Sequence, residues 1–164
     1  MAENRGKKFE SVIKEAFLKV KGCTINRLPD QMNGFKGGNN ICDFIAYKYP
    51  YIMYLECKSI KGNTFPFSNI TQNQWEGLFS KSFVPGAISG VIVWWIDKNI
   101  TKFIPMRLIN ELSKQGMKSI RYDDDYGFEI PGRKKRVFFE YDMKEFLEEL
   151  FDTYATNCFR GPDK

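Results

Sequence analysis

The sequence predicts an α/β fold in which helices flank a central mixed β-sheet. Three features of the chain predict it: helix-like and strand-like patterns alternate, an almost continuous apolar run spans residues 90–96, and amphipathic helices lie near both ends. Such a run is typical of a strand that is covered on both faces. The chain has 164 residues, 43% of them hydrophobic, and contains no repeat or linker, so we expect a single domain over residues 1–164.

The first half of the chain predicts a helix, a loop and a hairpin. Apolar residues recur at helical spacing from Phe9 to Val20, and a glycine two residues later can end the helix. Asparagine and glycine dominate residues 30–40, which predicts a mobile loop. Residues 42–47 and 52–58 have the composition of strands, and the short segment between them predicts a hairpin.

The second half predicts further strands and helices in alternation. We expect a helix over residues 69–82, strands over 90–96 and 100–104, a short helix over 106–115 and a late strand over 136–141. A last helix begins at Asp142, and Glu145 is its expected partner in a capping box.

The absence of histidine narrows the possible chemistry. Because the chain has no histidine, Ser-His and Cys-His catalysis, histidine-ligated zinc and an imidazole general base are excluded. Four cysteines occur without a C-x-x-C pair, as is typical of reduced and mostly buried thiols. Any catalysis must therefore use carboxylates, lysine, hydroxyls or thiols.

Charge and hydropathy favour a cytoplasmic protein with a polyanionic partner. The 25 lysines and arginines exceed the 20 acidic residues by five, and a basic surplus attracts polyanions. The first residues are charged and lack an apolar stretch, so no signal peptide is expected. No apolar run reaches the ~18 residues of a membrane span, so no membrane partner is expected either.

A possible catalytic group lies on the predicted hairpin. Side chains alternate along a strand, so Glu56 and Lys58 share one face. Asp43 joins them if Tyr47 pairs with Ile52, because that register places Asp43 opposite Glu56. A loop shorter by one residue would turn Asp43 to the other face.

Two facing carboxylates repel each other, and a divalent cation removes the conflict. Oxygen ligands of this kind suit Mg²⁺ or Mn²⁺. Lys58 could then hold or deprotonate the attacking water and neutralise a phosphate in the transition state. The alternative is that Glu56 and Lys58 form an ordinary surface ion pair, because Glu-x-Lys is also common on exposed strand edges.

Two other residues have open roles. Glu10 falls at the edge of the apolar stripe of the first helix, from where it can face a metal or remain solvated. Thr71 and Gln74 fit a capping box, so Gln74 can simply cap its own helix.

Several cations could contact nucleic acid. Arg5, Lys7 and Lys8 precede the predicted first helix, and Lys36 lies in the loop over residues 30–40. Such cations suit phosphate contacts, which supply most of the affinity that does not depend on sequence.

Other conspicuous residues have more ordinary interpretations. The basic run over residues 133–136 is typical of a solvated turn, with DNA contact as the alternative. Trp94 and Trp95 are expected in the core or at a dimer surface rather than as platforms for base stacking. Phe65 and Phe67 are expected to pack in the core, with a wedge into a DNA junction as the alternative.

Blocks of residues in a fixed order resemble a known family. The blocks are Asn4-Arg5-Gly6 with Phe9-Glu10, Asp43-Phe44 with Glu56-Cys57-Lys58, Phe65-Pro66-Phe67 with Asn69 and Gln74, and Lys118-Ser119-Ile120-Arg121. Together they resemble the PD-(D/E)xK nuclease superfamily and, more narrowly, the RecU Holliday junction resolvases of Gram-positive bacteria and their phages.

The resemblance implies a restriction-endonuclease-like fold, a homodimer and paired nicks across a four-way DNA junction. It also implies Mg²⁺ or Mn²⁺ as cofactor, host recombination proteins as possible partners, and a bacterial or phage-encoded origin. By motif position, it assigns Asp43, Glu56, the backbone carbonyl of Cys57 and Glu10 to the metal, Lys58 to catalysis, and Gln74 to support of the site.

The chain departs from the family in three ways. Ile41 and Cys42 stand where RecU proteins carry hydroxyl residues, the superfamily's proline before the aspartate is absent, and the loop over residues 30–40 replaces a longer stalk. The short loop is compatible with a compact phage-type or archaeal-type resolvase. Two alternatives stay open: a nuclease of this superfamily that acts on flaps, ends or a specific duplex site, and a non-catalytic DNA-binding protein that modulates recombination.

Overall fold

The computed structural model describes residues 2–29, 40–135 and 139–157. Most of the predicted loop over 30–40, including Lys36, and the first half of the predicted strand over 136–141 lie outside these ranges. The helices of the described residues are α1 (Ala2–Leu18), α2 (Gln72–Lys81), α3 (Met106–Lys114) and α4 (Met143–Asn157). The strands are β1 (Cys23–Arg27), β2 (Phe44–Lys48), β3 (Tyr51–Ile60), β4 (Thr64–Pro66), β5 (Ala87–Trp95), β6 (Ile100–Pro105), β7 (Ser119–Arg121), β8 (Phe128–Glu129), β9 (Gly132–Lys134) and β10 (Phe139–Tyr141).

Six of the strands form the central sheet, in the order β1-β2-β3-β5-β6-β8. The β3–β5 pair is parallel and the other neighbouring pairs are antiparallel, so the sheet is mixed. Strands β4 and β7 form a small second sheet, and β9 and β10 form a third. The predicted α/β fold with a central mixed sheet flanked by helices is therefore confirmed.

The central sheet separates two apolar clusters. Helices α1 and α4 cover one face, and α2 and α3 cover the other. Strand β5 contributes alternate residues to both clusters, so its apolar run is buried on both faces as predicted. Strand β3 places Met53, Leu55 and Cys57 in the α1/α4 cluster and Ile60 in the α2/α3 cluster. By the same alternation, Glu56 and Lys58 face α2 and α3.

The register of the β2–β3 hairpin is the one that groups the acidic residues. Tyr47 pairs with Ile52, and Phe44 pairs with Leu55. Asp43, one residue before the start of β2, therefore lies opposite Glu56. The register on which the catalytic prediction depended is confirmed.

Helix α1 begins earlier than predicted. It starts at Ala2, so Arg5, Lys7 and Lys8 lie on its first turns, and the expectation that they precede the helix is wrong. Alanine, glutamate, arginine and lysine all favour helix, which outweighs the cost of Gly6.

Within the described chain, none of the helices has the length and apolar character of a membrane span.

Other differences arise where apolar patterning is weak. Strand β1 was not predicted, because only Ile25 of its five residues is buried at this sheet edge. The residues just before α2 form a 3₁₀ turn over Phe67–Asn69, and α2 itself follows its cap at Thr71. The capping box of α4 is only half formed: Asp142 Oδ1 accepts from the Glu145 N–H, whereas the Asp142 N–H donates to Pro131.

Replacing Gly90 by alanine is expected to destabilise the sheet by about 1–3 kcal/mol, the usual cost of overpacking a core. A Cβ at this position of β5 would overlap the Ile104 carbonyl oxygen and lie 2.7 Å from two ring carbons of Phe103. Denaturant unfolding measures the effect. Gly6→Ala is the matched control, since no described residue other than its neighbours along α1 lies within 4 Å of its added Cβ, and it should stabilise α1 by about 0.5–1 kcal/mol. Equal stability of the two variants would contradict this account.

Candidate active site

Asp43 is held firmly by its backbone. Its N–H donates to the Leu55 carbonyl at 3.1 Å, and its carbonyl accepts from the Leu28 N–H at 2.8 Å. The carboxylate oxygen Oδ2 accepts a hydrogen bond from the Cys57 N–H at 2.8 Å. Asp43 is therefore fixed to β3 by both its main chain and its side chain, next to Glu56.

Glu56 is a buried carboxylate whose two oxygens have different surroundings. The residue is only 3% exposed. Its Oε1 accepts from Lys58 Nζ at 2.9 Å and from Gln74 Nε2 at 2.7 Å. Its Oε2 is buried and has no hydrogen-bond partner among the described residues. One oxygen is thus occupied by the protein, while the carboxyl group as a whole lies close enough to that of Asp43 to share a proton with it.

The charges of this group are not balanced. Burial, and then the charge of Asp43, raise the pKa of Glu56 to about 7, although Lys58 opposes the shift. Burial also raises the pKa of Asp43, against the hydrogen bond from Cys57 and the charge of Lys58. Two carboxyl groups thus share one lysine in a partly dehydrated place, and a further positive charge would stabilise both as carboxylates.

A divalent cation fits these residues. The unpartnered Glu56 Oε2 and the neighbouring Asp43 carboxylate supply hard, negatively charged oxygens, as Mg²⁺ and Mn²⁺ prefer. Among the described residues, no three His, Cys, Asp or Glu side chains come together as a metal site. An ion held by these two acids would therefore complete its coordination with other oxygens, such as water, a substrate phosphate or a main-chain carbonyl.

Gln74 caps its own helix and also contacts Glu56. Its backbone N–H donates to Thr71 Oγ1 and its side-chain Oε1 accepts from the Thr71 N–H, so the capping box of α2 is complete. Because Oε1 is engaged there, Nε2 is directed to Glu56 Oε1. The cap and the contact with Glu56 use opposite ends of one amide.

Glu10 does not join the two carboxylates. It lies on α1, which packs on the sheet face opposite α2, and its Oε2 accepts from Arg27 Nε at 2.9 Å. Its side chain is 17% exposed, which agrees with a position at the edge of the apolar stripe. Its role as an additional acid for the metal stays a prediction.

Arg27 is a residue of this region that the sequence analysis missed. It ends β1 and pairs with Phe44, the residue after Asp43. Its charge is close enough to lower the pKa of Asp43, although the larger effect of burial raises it. A prediction of β1 would have placed this arginine beside the acids.

The remaining predicted residues are divided between core and surface. Phe65, Phe67 and Trp95 are buried, as expected of core residues. Trp94 is partly buried and packs against rings on α1 and β10. Cys42 is buried and its thiol donates to the Phe44 carbonyl at 3.3 Å.

Three of the four cations predicted to contact DNA are exposed, and the fourth, Lys36, lies outside the described residues. Arg5, Lys7 and Lys8 project from the first turns of α1. They share this helix with Glu10, whose partner Arg27 lies near Asp43. The N-terminal half of α1 is therefore on the same end of the sheet as the acids.

Comparison with known proteins adds a distant likeness in fold. No protein-family model matches the chain, and neither does any curated protein. Among solved structures, the chain is similar to Hjc, a Holliday junction resolvase from the archaeal hyperthermophile Archaeoglobus fulgidus, with 19% sequence identity and a TM-score of 0.46. The match covers 62% of this chain and 78% of that chain. A likeness this distant does not assign an activity.

Proposed function

We propose that this protein is a metal-dependent DNA endonuclease of the PD-(D/E)xK superfamily, and specifically a RecU-like Holliday junction resolvase. The observation that carries the proposal is Glu56, a buried carboxylate whose Oε1 binds Lys58 and Gln74 while Oε2, beside Asp43, has no hydrogen-bond donor among the described residues. A purely structural ion pair would satisfy both oxygens.

The residues have distinct roles in this proposal. Asp43 and Glu56 hold Mg²⁺ or Mn²⁺, with the Cys57 carbonyl and Glu10 as further candidate contributors. When bound, the ion polarises a phosphodiester and lowers the pKa of a bound water. Lys58 orients or deprotonates the attacking water and neutralises charge on the phosphate.

DNA is held by cations at the same end of the sheet. Arg5, Lys7 and Lys8 are exposed on α1, and Lys36 is a further candidate. Contacts of this kind bind phosphates without regard to sequence and weaken steeply with salt, as suits an enzyme that recognises DNA shape.

The assembly and the cellular setting are part of the same proposal. Resolution of a four-way junction requires two symmetric cuts, and a homodimer with twofold symmetry presents two sites. We expect such a dimer to act in the cytoplasm of a bacterial cell, encoded by the cell or by a phage, and to meet host recombination proteins there.

Cleavage of synthetic DNA tests the proposed function. A labelled mobile four-way junction, a flap and a linear duplex are incubated at matched salt with Mg²⁺, Mn²⁺ or EDTA. Paired symmetric nicks in the junction with either metal, none in EDTA, and slower cutting of the other DNAs are expected. Preferred cutting of the flap or duplex would assign another substrate. Binding of the junction without cleavage under any condition would indicate a non-catalytic DNA-binding protein.

A further inference from the structure

We propose that helix α2 supports both segments that carry Asp43 and Glu56, and that Thr71 and Gly77 are positioning residues of the site. The inference rests on the proposed function, because the two acids that α2 supports are the ones that would hold the metal. Its structural basis is that α2 contacts both of the segments that carry these acids.

The first contact runs from Thr71 to Glu56. Thr71 Oγ1 accepts from the Gln74 N–H at 3.3 Å, and the Thr71 N–H donates to Gln74 Oε1 at 3.1 Å. This fixes the amide so that Nε2 donates to Glu56 Oε1 at 2.7 Å. Thr71 Oγ1 holds the first turn of α2 in the geometry that brings the Thr71 N–H to Gln74 Oε1, so loss of Oγ1 would loosen the amide as well. Thr71 therefore positions the amide whose Nε2 donates to Glu56.

The second contact runs from Gly77 to Asp43. Ile41, two residues before Asp43, lies so close to Gly77 that an added Cβ would overlap Ile41 Cγ2 and lie 2.5 Å from Ile41 Cβ. Asn73, on the preceding turn of α2, also donates to the Asn40 carbonyl at 3.3 Å. The segment that leads into Asp43 thus rests directly on the helix.

Glycine at position 77 is otherwise unfavourable. Within a helix, glycine is less favourable than alanine. The close approach of Ile41 is therefore the physical reason for a glycine at this position. Because Ile41 lies two residues before Asp43, a shift of Ile41 away from α2 would strain the hydrogen bonds that hold Asp43 to β3 beside Glu56.

Gly77→Ala tests the second contact. The metal affinity, measured by calorimetry with Mn²⁺ and no DNA, should fall roughly 10–100-fold, as for loss of other residues that orient metal ligands. Ile41→Ala removes the overlapping Cγ2, so the double variant Ile41→Ala/Gly77→Ala should recover most of this affinity. Full affinity in Gly77→Ala, or no recovery in the folded double variant, would overturn the inference.

Thr71→Ala tests the first contact, with Asp142→Ala as the matched control. Both variants remove a helix N-cap and should lower the unfolding midpoint by a similar amount. Only Thr71→Ala should weaken Mn²⁺ binding and slow cleavage, by roughly tenfold, and Thr71→Ser should restore both. If the two cap variants change the Mn²⁺ affinity equally, Thr71 has only a structural role and the inference is overturned.

The two proposals can fail separately. Wild-type protein that neither binds Mn²⁺ nor cuts DNA would contradict the proposed function. The nuclear magnetic resonance signal of the Gln74 side-chain amide still tests α2 in that case, because it should shift in Thr71→Ala and Glu56→Gln but not in Asp142→Ala. An unchanged signal in Thr71→Ala would overturn the inference whether or not the protein is a nuclease.

Discussion

Glu56→Gln is expected to abolish metal-dependent cleavage and to stabilise the metal-free protein. Polarisation by a bound metal is worth several kcal/mol and each ~1.4 kcal/mol is tenfold in rate, so a loss of at least roughly 10³-fold is expected. Without metal, the buried carboxylate faces Asp43, and its pKa is raised to about 7. A neutral amide can keep its contacts with Lys58 and Gln74 while offering an N–H to Asp43. A gain of about 1 kcal/mol or more near neutral pH follows, since one pKa unit corresponds to ~1.4 kcal/mol.

Two measurements check this prediction: cleavage of the labelled four-way junction with Mg²⁺, and thermal unfolding in EDTA and in Mn²⁺. Mn²⁺ should raise the unfolding midpoint of the wild type and leave that of Glu56→Gln unchanged, because only a state that binds the ion gains stability from it. Glu148→Gln makes the same change of charge at an exposed position on α4 and should behave as wild type. Substantial cleavage by Glu56→Gln would exclude Glu56 as an essential metal ligand.

Lys58→Ala is expected to slow cleavage by roughly 10²–10³-fold, the usual loss when a group that stabilises transition-state charge is removed. Metal binding should respond in the opposite direction. The Lys58 ammonium lies 2.9 Å from Glu56 Oε1, so its removal takes away a positive charge that repels the metal ion. The variant should then bind Mn²⁺ at least as tightly as wild type, and junction binding should be largely retained.

The opposed changes in rate and affinity separate catalysis from folding. A misfolded site would lose both, whereas loss of the catalytic lysine alone lowers only the rate. Lys114→Ala, which removes an exposed cation from α3, is the control. A fully active Lys58→Ala enzyme would contradict the role of this lysine.

Much of the site was predictable because its residues are close in sequence. Strand alternation put Glu56 and Lys58 on one face, and only the hairpin register remained to be decided for Asp43. The structure has the register in which Tyr47 pairs with Ile52. The Thr71 and Gln74 capping box was equally local, and both of its hydrogen bonds are present.

Contacts between distant segments were not predictable in this way. Arg27 reaches the site through β1, an edge strand in which only Ile25 is buried, so the strand shows little apolar alternation. The ion pair between Arg27 and Glu10 joins β1 to α1, and no local pattern indicates it. The closeness of Gly77 to Ile41 likewise depends on how α2 lies on the sheet.

Local patterns in the amino-acid sequence determined the α/β class, the buried central strand, the hairpin and the carboxylate–lysine group, because each follows from periodicity within a few residues. Only the tertiary structure decided that Gln74 donates to Glu56, that Glu56 Oε2 lacks a donor within the described part of the chain, and that Glu10 pairs with Arg27. These contacts depend on the packing of helices against a sheet. Side-chain reach of a few ångströms then decides which polar atoms are satisfied, and periodicity does not carry that information.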